Sequence, residues 1–289
     1  MNAESITIHQ TDAFAGMRKA GQVAAATLDH IAPFVQPGVS TADLDKRITD
    51  FMVAQGALPA CIGYLGNNVW DRDLGLPDLG YDPRARGAYQ HSSCISVNHV
   101  VCHGIPDAKV LEDGDILNID VTVIVDGWFG DTSRMFVAGD KTSIKGQKLI
   151  DATFEAMWQG IRAVKPGARL GDIGHAIQTY AENLGFSVVR DFCGHGLGRV
   201  FHSDPPVLHF GKPGTGPVLM PGMFFTIEPM INAGKYETKI LSDGWTAVTR
   251  DRSLSAQFEH SIGVTMDGYE VFTLSPAGLH NPAIKNAAS

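Results

Sequence analysis

The sequence predicts an α+β fold of two similar αβ halves packed on one core. Three observations carry that prediction. First, PGVSTADLDKRITDFMVAQGA (37–57) aligns without gaps on PGARLGDIGHAIQTYAENLGF (166–186), matching Pro37 with Pro166, Gly38 with Gly167, Asp43 with Asp172, Ile48 with Ile177 and Gly56 with Gly185. Second, each copy is followed by a turn leading into a strand. LEDGDILNIDV (111–121) aligns on LMPGMFFTIEP (219–229), which sets Asp120 opposite Glu228. Third, β-branched runs on either side of Asp126-Gly127 predict a tight antiparallel hairpin.

Both aligned segments read as helices. Leu44, Ile48, Phe51 and Met52 recur at helical spacing in the first copy, as do Ile173, Ile177, Tyr180 and Leu184 in the second. Gly56 and Gly185 stand where a left-handed C-terminal cap belongs. The apolar periodicity of residues 14–31 and 144–164 predicts a further helix ahead of each copy. Gly56 and Leu111 are 55 positions apart and Gly185 and Leu219 are 34, so the first half carries 21 extra residues. Rich in Gly, Pro and Asp, the stretch at about 67–88 reads as a loop holding that surplus. No linker separates the halves, so the expectation is a single domain over 1–289, with halves at about 12–140 and 141–275.

Composition narrows the function. With 44% hydrophobic residues the 289-residue chain has ample material for a core, and no apolar run reaches the 18 or more residues of a membrane helix. MNAESITIHQ lacks the basic-then-apolar pattern of a secretory signal, which predicts a cytoplasmic protein. The net charge of −8 and the lack of a Lys/Arg cluster argue against nucleic acid as a partner. Cys61, Cys94, Cys102 and Cys193 show no CxxC spacing and are expected to be reduced and buried.

If Val125 pairs with Trp128, Asp131 lies opposite Thr122 and diagonal to Asp120, which places two acids side by side on one face of an apolar sheet. Like charges there are costly unless a cation lies between them. The same spacing also fits a solvent-facing strand with ordinary surface acids, and a bulge would reverse the parity. Glu228 in FFTIEPMI and Glu259 in SAQFEHSIGVT are further acids in apolar strands, and His195 lies in the glycine-flanked CGHGLGRVFH. One imidazole with four carboxylates suits manganese, iron(II), cobalt or zinc. Four acids exceed the need of one divalent ion and favour a two-metal cluster. His103 in VVCHGIP and His202 in GRVFHSD suit an active-site wall, and equally suit satisfied polar residues.

Together, SVNHVVCHGIP, NIDVTVIVDGWFGDTSRMF, GHGLGRVFHSDPPVLHF, FFTIEPMINAG and DGWTAVTRDRSLSAQFEHSI resemble the type I methionine aminopeptidases over about residues 12–275. The resemblance implies the pita-bread fold: two αβ halves about a pseudo-twofold axis with a central antiparallel sheet. It also implies a two-metal site that removes the initiator methionine from nascent chains with a small second residue. Carried over by position, the ligands fall on Asp120, Asp131, His195, Glu228 and Glu259. In that carry-over Asp131 and Glu259 bridge both ions, Asp120 holds one, and His195 with Glu228 holds the other.

His103 and His202 match family histidines at the substrate amide and carbonyl, and Glu228 doubles as a proton shuttle. The implied methionine pocket is Cys61, Tyr64, Cys94, Phe201 and Trp245; Tyr89, counted back from Cys94, replaces a tyrosine expected where Asn67 stands. A monovalent cation on the backbone carbonyls of Asn98, Val100 and Ser255 is also implied. The family further implies a monomer acting near the ribosome exit, with no nucleic acid or membrane partner. Lack of an N-terminal zinc-binding extension and of a long C-terminal insertion points to a bacterial or organellar form. A prolidase or Xaa-Pro aminopeptidase is the alternative, disfavoured because only 119 residues precede Asp120. A non-catalytic binding module of the same fold is disfavoured because all five ligand positions are filled.

Overall fold

A computed structural model describes residues 6–64 and 87–279. The expected surplus loop at about 67–88 falls almost wholly outside these residues. Four long helices form as predicted: α1 (Ala13–Ile31), α2 (Thr41–Ala54), α3 (Ile144–Arg162) and α4 (Leu170–Asn183).

Two backbone hydrogen bonds of the first copy recur at the matched positions of the second. Gly38 N donates to Leu111 O and Leu111 N to Val39 O, while Gly167 N donates to Leu219 O and Leu219 N to Ala168 O. The matched acids do the same work at the helix starts. The Asp43 carboxylate accepts from the Ser40 hydroxyl, and the Asp172 carboxylate accepts from Arg169 N. A bond from Gly214 N, followed by the one from Arg169 N, holds the Asp172 carboxyl below its ordinary pKa. Gly56 and Gly185 close their helices at φ 71° and 82°, a conformation that glycine adopts without a side-chain clash.

All strand pairing among the described residues is antiparallel, divided among four small sheets. In the first half Ile116–Val125 pairs with Trp128–Val137 on one side and with Ser93–Val97 and Leu58–Pro59 on the other. The second half has the order Tyr269–Val271, His260–Val264, Phe224–Ile227, Gly194–Gly196, Ser203–Val207. Two three-stranded sheets complete the set. Met230–Asn232 lies between Ser255–Gln257 and Ser187–Val188, and Ala247–Thr249 lies between Thr238–Ile240 and Val100–Cys102. A bridge between Ser133 and Glu259 stitches one repeat to the other.

Helices α1 and α2 bury Leu28, Leu44 and Ile48 against Ile119 and Val121. Helices α3 and α4 bury Leu149, Ile173 and Ile177 against Phe225 and Ile227. The helix α1 lies so close to Trp128–Val137 that a Cβ on Gly130 would stand 2.3 Å from Ala20 O. No helix among the described residues is long and apolar enough to cross a membrane.

Candidate metal centre

The hairpin register is the one expected: Val125 opposes Trp128 and Thr122 opposes Asp131. Asp120 and Asp131 therefore share the face that the strand period dictates, without a bulge to reverse it. Glu228 and Glu259 differ from expectation. Neither lies inside a strand: Phe224–Ile227 stops one residue short of Glu228, and Glu259 sits between Ser255–Gln257 and His260–Val264. Pro229 brings no N–H to a ladder, which ends the pairing there. Both carboxylates lie near the first-half acids.

Asp120, Asp131, His195, Glu228 and Glu259 all line one cavity of about 340 Å³. Donor atoms of Asp131, His195 and Glu259 lie within 4.8 Å of one another. His195 Nε2 is 3.5 Å from Asp131 Oδ2 and 3.6 Å from Glu228 Oε1. Its other nitrogen, Nδ1, donates to Gly196 O at 3.1 Å, an arrangement that aims Nε2 at the carboxylates.

Charge balance is the test of whether this set fits a cation. No lysine or arginine is among the described residues lining the cavity. Burial first, and then Asp131 and Glu228, push the Asp120 carboxyl well above its ordinary range. Burial followed by Asp131, Glu228 and Asp120 does the same to Glu259. Burial raises Glu228 to about 7, with His195 opposing and Asp131 adding to the rise. Burial lowers the His195 pKa, but Asp131 and Glu228 outweigh it and the net shift is upward. Four largely buried carboxylates and one imidazole, with no Lys or Arg beside them among the described residues, fit divalent cations of the manganese-to-zinc series.

Neighbouring side chains hold the donors. The Thr122 hydroxyl donates to Asp131 Oδ1 at 2.7 Å. The Thr226 hydroxyl accepts from His195 N and donates to Glu228 Oε1 at 2.7 Å, tying two candidate ligands to one side chain. Gln257 Nε2 donates to Glu228 Oε2 at 3.3 Å.

Much of the remaining lining is apolar or sulfur-bearing. Cys61, Tyr64, Tyr89, Cys94, Phe201 and Trp245 line the same cavity, with Cys94 directly opposite Asp120 on the neighbouring strand. Tyr89 anchors its hydroxyl on Ser93 O and Gly104 O. Burial raises the Cys61 and Cys94 pKa values well above normal, so both are neutral thiols suited to a thioether. His103, at φ 55°, packs edge-on between Phe192 and Trp245. His202 stacks on Phe201, and its Nδ1 lies 2.6 Å from the Tyr64 hydroxyl. Burial holds both His103 and His202 below the usual imidazole pKa. Val100 and Ser255 begin their strands, and Asn98 O accepts from Ser255 N at 2.9 Å.

Cys102, Asp191, Phe192, Cys193, Met230 and Gln257 also line the cavity and escaped sequence reasoning. Position was the available signal: Cys102 adjoins His103, residues 191–193 lead into His195, and Gln257 precedes Glu259 by two. All four cysteines are free thiols. Cys61, Cys94 and Cys102 are buried as expected, but Cys193 is only part-buried.

Known proteins match both the sequence and the fold. Metallopeptidase family M24 matches residues 15–266. A methionine aminopeptidase of Rickettsia prowazekii is 54% identical over 280 residues, covering 96% of this chain and 99% of its own. One from Escherichia coli K12 is 51% identical over 272 residues, covering 93% and 94%. The crystal structure of the Rickettsia enzyme superposes with a TM-score of 0.84 at 52% identity, over 93% of this chain and all of that one. A prolidase from Pyrococcus furiosus shares the fold at a TM-score of 0.67 and 17% identity, with 92% of this chain and 65% of that one covered. The chain belongs to metallopeptidase family M24, among its methionine aminopeptidases.

Proposed function

We propose that the protein removes the initiator methionine from nascent polypeptides whose second residue is small, working as a single cytoplasmic domain of two αβ halves. The observation that carries this reading is the meeting of two kinds of side chain in one cavity: five residues with oxygen or nitrogen donors line it together with thiols and aromatic rings. Asp120, Asp131, His195, Glu228 and Glu259 would hold two divalent ions of cobalt, manganese, iron(II) or zinc. When bound, the ions supply an activated water and polarise the scissile carbonyl.

The chain's own groups do the rest. Cys61, Tyr64, Tyr89, Cys94, Phe201 and Trp245 enclose the methionine side chain. His202 donates a hydrogen bond to the carbonyl oxygen as negative charge builds there. His103 orients the scissile amide. Glu228 accepts a proton from the attacking water and passes it to the leaving amine. The carbonyls of Asn98, Val100 and Ser255 are assigned a monovalent cation. The working form is a monomer near the ribosome exit.

The test is hydrolysis of Met-Ala and Ala-Pro peptides by apoprotein reloaded with each divalent metal. Metal-dependent release of methionine from Met-Ala is expected, and turnover of Ala-Pro alone would overturn the reading.

A further inference from the structure

The two repeats hold their equivalent acids in different ways. Asp120 sits in a continuous ladder, opposite Cys94 on one side and Ser133 on the other, so strand pairing fixes its backbone. Glu228 has no such support. Pairing with His260–Val264 ends at Ile227, Pro229 has no N–H, and pairing resumes only at Met230 with Gln257. In that gap the Glu228 N–H donates to a side chain, His209 Nε2, at 3.1 Å.

His209 is 1% exposed. Because Nε2 accepts an N–H, the proton of the neutral ring is on Nδ1, and Nδ1 has no partner among the described residues. A buried ring with an unpaired donor is a costly way to fill a core position, and an apolar side chain of that size would avoid the cost. What an apolar residue could not do is accept the Glu228 N–H. The ring stands where a neighbouring strand's carbonyl would stand in an unbroken sheet. With Thr226 on Oε1 and Gln257 on Oε2, it gives Glu228 three fixed points, one on the backbone and two on the carboxylate.

We infer that His209 is a positioning residue for Glu228: it replaces the missing strand partner at the break and so holds the carboxylate at the metal-binding end of the cavity. This rests on the metallopeptidase reading of the site.

The test compares His209→Leu, which removes the acceptor at similar volume, with His209→Gln, whose amide oxygen reaches the place of Nε2. Mn²⁺ affinity is measured by calorimetry on apoprotein, and kcat and KM on a Met-Ala peptide. His209→Leu should lose about 10–100-fold in Mn²⁺ affinity and in kcat with KM unchanged, as outer-sphere partners of metal ligands do. His209→Gln should recover most of both. Wild-type affinity and kcat in a folded His209→Leu variant would overturn the inference, as would equal damage in Leu and Gln. If His209→Leu does not fold, His209→Asn takes its place, because its shorter amide reaches only the Nδ1 position; it must lose what Gln retains, and equality of the two overturns the inference. A wild-type protein that neither binds Mn²⁺ nor cleaves Met-Ala overturns the metallopeptidase reading and this inference with it.

Discussion

The Tyr64 hydroxyl lies 2.6 Å from Nδ1 of His202. Burial, followed by Cys61 and Asp131, raises the Tyr64 pKa to about 12, so its proton is in place and donated. Burial, with His195 and His103 adding to it, keeps His202 neutral. Together these fix the tautomer: Nδ1 accepts and Nε2 carries the hydrogen. Replacing Tyr64 with Phe keeps the aromatic wall and removes the constraint. One hydrogen bond is worth about 1 kcal/mol, so kcat should fall about 5-fold with little change in KM. Steady-state kinetics on a Met-Ala peptide check this, and an unchanged kcat would contradict it.

Metal binding should displace protons. Glu228 has its pKa near 7, and Asp120 and Glu259 are also raised, so at pH 6 cations compete with protons for these oxygens. Apparent Mn²⁺ affinity should rise with pH through about 7. Calorimetry in two buffers of different ionisation heat should detect proton release at pH 6.5. Binding with no proton release would refute the assignment.

Stability of the metal-free protein follows with the opposite slope. For Glu228 the folded pKa of about 7 lies above the ordinary 4.5, so its contribution is full below 4.5 and lost as pH rises through about 7. Apoprotein Tm should decline across that window, and Glu228→Gln should flatten the decline.

Asp131 accepts from Thr122 and lies at the centre of the donor group. In Asp131→Asn, metal affinity and activity should fall together, by more than the roughly 10–100-fold typical of outer-sphere changes. Atomic absorption after desalting, paired with peptide hydrolysis, reads both. Retention of either would remove Asp131 from the cluster.

Gly130→Ala probes the seam between helix α1 and the strand carrying Asp131. The new Cβ would sit 2.3 Å from Ala20 O and 2.4 Å from its carbonyl carbon, so the helix must retreat. Overpacking of this kind costs about 1–3 kcal/mol. A lower urea midpoint is the expected outcome, and a wild-type midpoint would show that the approach is not as tight as described.

How much of this was legible in the sequence depended on the range of the interaction. The Asp126-Gly127 turn fixes the register of Val125 and Trp128, and period-two alternation then carries Asp120, Thr122 and Asp131 to one face without long-range information. The repeat was readable because Gly56 and Gly185 mark the helix ends in both copies. Residue type marks Glu228 in the sequence, but its place just past the end of Phe224–Ile227, next to Pro229, does not follow from the apolar run. Gln257 and His209 escaped altogether. Each acts through one contact with Glu228, across 29 and 19 positions respectively, and neither periodicity nor composition encodes such a pairing. His202 stands out by its local sequence and Tyr64 by the resemblance, but nothing local signals the bond between them across 138 positions.

The bridge from Ser133 to Glu259 has a consequence in time. Asp120 and Asp131 leave the ribosome well before His195, Glu228 and Glu259, so the early acids wait without their counterparts. On the ligand set proposed above, no ion is held by all five residues until Glu259 has emerged. Capture then latches that seam, adding about 2.7 kcal/mol at a free-metal concentration 100 times Kd. A chain starved of metal should therefore open first along the line between the repeats, and a fragment ending near residue 140 should neither bind nor cleave.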